Sequence, residues 1–162
     1  MGKYTAARDL DLSVKKRWYV VANRTDAVFY KDTRDHKFAF VERLGNPAGK
    51  LTEMELDSDK PGRGFSSASN GSIHHSLDRR SHRHEKVAKD FARKIADSLE
   101  EAFKGDHMNE VVLVAESHFL GLIREVLPLA VRKLVKHEVN REYVQGSDQE
   151  LHRLILKAIE SE

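Results

Sequence analysis

The run EVVLVAE, residues 110 to 116, limits the fold more than any other part of this 162-residue chain. Between its two glutamates, VVLVA (111–115) is continuously apolar yet only of strand length. A strand with no polar alternation is buried on both faces, so its sheet needs a layer of structure on either side. Those layers are found nearby. Val87, Ala88, Phe91, Ala92, Ile95, Ala96, Leu99, Ala102 and Phe103 recur at steps of three and four, which predicts one helix over about 80 to 104, stopped by Gly105. Ser117 stands where an N-cap is wanted ahead of HFLGLIREVL, and PLAVRKLV adds one turn. Ser147 and Glu150 form a capping box before a last helix striped by Leu151, Leu154, Ile155, Ala158 and Ile159.

Upstream, RWYVVAN (17–23), AVFYKD (27–32) and KFAFVERL (37–44) are β-branched and aromatic runs separated by turn residues, and predict an antiparallel meander. Gly45-Asn46-Pro47 is expected to end regular structure, and KHEVNRE (136–142) to form an edge strand. The order βββαβαβα is that of a ribonuclease H-like α/β fold, a mixed five-stranded sheet with helices on both faces. The length suits one domain, here 17–162 after a flexible tail of residues 1–16. There is no cysteine, no apolar stretch of signal-peptide or membrane-spanning length, and residue 6 is Ala where myristoylation wants Ser or Thr. A cytoplasmic location without membrane association is expected.

Between the meander and the long helix lies DSDKPGRGFSSASNGSIHHSLDRR, residues 57 to 80, which reads as a long loop. Charge gathers there: from Lys60 to Lys94, nine Lys or Arg face three acids, giving +6 and leaving −4 for the rest of a chain whose total is +2. Such asymmetry suits a phosphate-rich partner, although a solvated basic helix face gives the same signal. Gly62 and Gly64 permit positive backbone dihedrals around Arg63, but the Gly-Lys-Ser/Thr ending of a phosphate-binding P-loop is missing.

Two catalytic arrangements can be weighed. A two-metal nuclease requires converging carboxylates; the first strand ends in Asn23, and only Glu85, Glu116 and Asp148 stand at suitable places further on. His74, His75, His82 and His84 crowd the loop and helix, yet a His-x-His spacing on a helix points its two rings to different faces, so no metal site is expected and no cofactor is implied.

LGNPAGKLTEMELDSDKPGRGFSSAS, HRHEKVAKDFARKIADSLEEA and VVLVAESHFLGLIREVL resemble the bacterial host attachment protein family, from Arg17 to Tyr143, most specifically at SDKPGR and LVAESHFLGLIR. That family is similar in turn to the central domain of archaeal and eukaryotic class I peptide-chain release factors. In those factors a loop bearing Gly-Gly-Gln enters the ribosome and hydrolyses peptidyl-tRNA. The corresponding place here reads Gly62-Arg63-Gly64-Phe65-Ser66, and the only glutamines are Gln145 and Gln149, so that chemistry transfers to no residue. The resemblance implies a non-enzymatic RNA-binding or ribosome-associated domain, with Arg63, Arg79, Arg80, Arg83 and Lys86 on phosphates and Phe65 stacked on a base. Two alternatives stand beside it. One is a hydrolase of peptidyl-tRNA or a related ester with His74, His75 or His84 as base; the other is a protein-interaction module in host attachment. The oligomeric state is not legible.

Overall fold

Every residue of β4 (Glu110–Ala115) is buried, as a strand covered on both faces must be. It lies inside a five-stranded sheet of order β3-β2-β1-β4-β5, formed with β1 (Arg17–Ala22), β2 (Asp26–Asp32), β3 (Phe38–Gly45) and β5 (Val135–Asn140). The computed structural model describes residues 15–58, 70–143 and 146–161. β1 pairs antiparallel with β2 and parallel with β4, β2 pairs antiparallel with β3, and β4 pairs parallel with β5. This is the mixed α/β sheet that the element order predicts.

The period-two alternation of β1 divides the core. Trp18, Val20 and Ala22, with Phe29, Val111 and Leu113, face one layer made by α2 (Asn70–Lys104) and α3 (Ser117–Val126). That layer supplies Ala88, Phe91, Ala92, Ile95, Ala96, Leu99 and Ala102 from α2, and Phe119, Leu120, Leu122 and Ile123 from α3. Tyr19, Val21, Tyr30, Val112, Val114 and Val139 face the other side, where α5 (Asp148–Glu160) buries Ile155. Leu151, Ala158 and Ile159 of the expected stripe are only partly buried against this cluster.

Four sequence expectations are corrected. Pro47 begins a helix, α1 (Pro47–Ser58), rather than ending order: proline's missing N–H and fixed φ suit the first helical position, and the Asn46 carbonyl accepts the Lys50 N–H at 3.2 Å. α2 starts at Asn70, ten residues before the expected start, so residues 70–80 are helix rather than loop. Its end is a Schellman arrangement in which the His107 N–H donates to Ala102 O and the Asp106 N–H to Phe103 O. The helix thus stops before Gly105 as expected, with Asp106 (φ 57) as the left-handed residue, and a Cβ on Gly105 would meet His107 Cδ2 at 2.7 Å. Phe103 is exposed at 37%, at the border of a stripe whose neighbour Ala102 stays buried. Glu116, not Ser117, caps α3, its carboxylate accepting the N–H groups of His118 and Phe119 at 3.0 and 2.8 Å.

The remaining helix, α4 (Leu129–Arg132), is the single turn expected of PLAVRKLV. Lys16, inside the expected tail, is held: its N–H donates to Asn109 Oδ1 at 2.8 Å and its carbonyl accepts from Asn109 and Glu110.

Candidate nucleic-acid interface

α2 has 35 residues and is about 52 Å long at 1.5 Å per residue, whereas its neighbouring six-residue strands span about 20 Å. Among its described side chains burial begins at His84 and Ala88, and Leu77, Asp78 and Arg79 are exposed. The N-terminal half therefore projects past the core. Charge follows the same division: residues 70–89 carry five Lys or Arg against two acids, and residues 90–104 carry three against four.

Arg79, Arg83 and Lys86 are spaced i, i+4, i+7, so they share the helix face opposite the apolar stripe, and all three are exposed. Among the described residues, Arg79 and Lys86 have no ion-pair partner. Arg83 does: its Nη2 donates to Glu55 Oε2 of α1 at 2.8 Å. Arg80 is half-buried beside this stripe. The expected phosphate contacts Arg79, Arg83 and Lys86 thus come together on one face, and one of them is shared with a carboxylate of the chain itself.

His84 is buried at 6% exposure, with Nε2 3.3 Å from the same Glu55 oxygen, and serves as the inner half of the link between α1 and α2. His82, two residues away, is exposed on a different face, so the pair cannot converge on one ion. Gly62, Arg63, Gly64 and Phe65 lie outside the described residues, as do the side chains of His74 and His75.

The carboxylates weighed for a nuclease are engaged in two separate places. Glu85 accepts from His118 Nε2 at 2.9 Å and Glu116 caps the helix that carries His118. Asp148 lies on the other face of the sheet, accepting the Tyr30 hydroxyl at 3.0 Å. Among the described residues no group of three or more His, Asp or Glu is arranged to hold a metal. Sequence reasoning missed Glu55, because α1 was not expected, and missed His118, whose partner lies 33 residues away.

Asp148 also lines a cleft of about 390 Å³ with Asn23, Asp26, Tyr30, Arg43 and Tyr143. Burial works against ionisation of Asp26, but hydrogen bonds from Thr25 and Arg43 outweigh it and hold the carboxyl below its usual range. Burial, and then the bond to Asp148, push the Tyr30 phenol up to about 12. The charged groups here satisfy one another.

A family model described as "Protein required for attachment to host cells" matches residues 18–155. No curated protein sequence matches the chain. Among solved structures, one described as "Archaeal protein" aligns at a TM-score of 0.47 and 10% identity, over 95% of this chain and 41% of that one. The chain thus spans less than half the length of that protein.

Proposed function

The chain belongs to the family of proteins required for attachment to host cells, and from that premise we propose that it is a non-enzymatic RNA-binding or ribosome-associated domain. The observation that carries this reading is the exposed stripe of Arg79, Arg83 and Lys86 on the half of α2 that projects beyond the core. A solvent-exposed cationic helix face can meet a phosphate backbone, and affinity there comes from counterion release. Ester hydrolysis gains no support from His84, which is buried against Glu55.

Fluorescence anisotropy with a labelled single-stranded RNA, titrated at several salt concentrations, tests the proposal. Replacing Arg79 and Lys86 together with alanine removes two phosphate contacts, so the slope of log K against log salt should flatten by about 1.4. An unchanged slope and affinity in that variant would overturn the reading.

A further inference from the structure

Another surface cleft, of about 470 Å³, opens among α3, α4 and β5. It adjoins the start of β4, where Val135 pairs with Val111. The exposed half of α2 lies beyond the opposite end of that strand, since β4 follows α2 directly and His118, after β4, touches Glu85. The lining is Arg124, Arg132, Val135, Lys136, His137 and Glu138, three permanent cations against one carboxylate.

Each cation is placed by a different device. Glu138 grips Arg124 bidentately, from Nε at 2.8 Å and from Nη2, and fixes the plane of its guanidinium. Arg132 donates one Nη2 hydrogen to Leu127 O at 3.2 Å, which leaves most of its fork for a further acceptor. Lys136 is set by the backbone: the β4–β5 register steps from Val111↔Val135 to Val112↔His137, so Lys136 is the extra residue of a bulge. It is exposed and has no partner among the described residues.

Among the described residues β5 is an edge strand, pairing only with β4. A bulge with a lysine on an edge strand opposes the addition of another strand, so an extended peptide is a poor occupant. A compact anion is a better one. Arginine forks match the tetrahedral oxygens of phosphate, and a lysine beside them adds a mobile point charge. We propose that this cleft binds a phosphoryl group through Arg132 and Lys136, with Arg124 held at its wall. The inference does not depend on RNA binding by α2.

The test follows backbone amide NMR shifts of residues 132–138 in the full chain, titrated separately with pyrophosphate and with a single-stranded RNA oligonucleotide. Saturable shifts with pyrophosphate assign a free phosphorylated ligand, and saturable shifts with RNA alone assign the phosphate to a strand. Arg132→Ala and Lys136→Ala should each weaken binding about tenfold, the loss of one charge-assisted contact. Lys133→Ala should leave it unchanged, because Lys133 is an exposed neighbour of equal charge outside the lining. Absence of saturable shifts with both probes would overturn the proposal, as would equal weakening by Lys133→Ala, which would mark diffuse surface attraction. Arg79→Ala with Lys86→Ala, the change that tests α2, should not alter the pyrophosphate titration.

Discussion

Glu55 Oε2 lies 3.3 Å from Nε2 of His84, a contact that ties an exposed carboxylate on α1 to a buried ring on α2. His84 first, and Arg83 after it, hold the Glu55 carboxyl below its usual range. A carboxyl lowered by folding stabilises the native state above its unfolded value, about 4.3, and that contribution disappears as pH falls through the folded value. Hydrogen-exchange protection of α1 should therefore drop as pH falls below about 4.3. In Glu55→Gln, protection of α1 should already be low at the higher pH and change less. Equal losses in both proteins would show that Glu55 does not couple the helices.

Gly49 explains why α1 sits where it does. A Cβ at this buried position would meet Arg24 O at 2.2 Å and Asn46 Nδ2 at 2.6 Å, and Asn46 Nδ2 already donates to Arg24 O at 2.8 Å. Helix and β1–β2 turn are thus joined by a contact with room for hydrogen only. Gly49→Ala should destabilise the protein by about 2 kcal/mol, the cost of forcing a methyl into packed backbone. Urea unfolding measures it, and a neutral or stabilising result would mean that α1 can shift without loss.

How far the sequence reveals these features depends on how local their causes are. β4 is legible because five buried apolar residues in a row, Val111 to Ala115, leave one arrangement, and β1 because its alternation divides the two faces. The first ten residues of α2 are hidden because only Ile73 and Leu77 carry the helical spacing among serines, glycines and histidines. α1 is hidden by Gly45-Asn46-Pro47, residues shared by turns and helix starts. The basic stripe is legible from spacing once the helix is given. The Glu55–Arg83 pair is not, since it joins residues 28 apart through tertiary packing.

Glu116 shows how a residue suited to chemistry can serve structure. Its two carboxylate oxygens accept from His118 N at 3.0 Å and Phe119 N at 2.8 Å, filling two of the unpaired donors at the start of α3. A carboxylate there also opposes the positive end of the helix dipole. Glu116→Ala should cost about 1 kcal/mol in chemical unfolding, and Glu116→Asp should recover part of it because a shorter acid still caps well. Full stability in the alanine variant would contradict the capping role.

Tyr19 and Tyr30 set the alkaline limit. Burial pushes both phenols up to about 12, and for Tyr30 the hydrogen bond to Asp148 adds to the effect, because a carboxylate acceptor favours the protonated hydroxyl. A phenol raised by folding stabilises the native state fully below its unfolded value, about 10, and that stability is lost as pH rises through the folded value. The protein should therefore lose stability between about pH 10 and about pH 12. Ultraviolet difference titration reads phenolate formation directly. In Asp148→Ala one phenol should ionise at lower pH than in the parent, while Tyr19, bonded instead to Asp32 at 3.0 Å, should keep its raised value. An unchanged titration in Asp148→Ala would show that burial alone holds Tyr30 protonated.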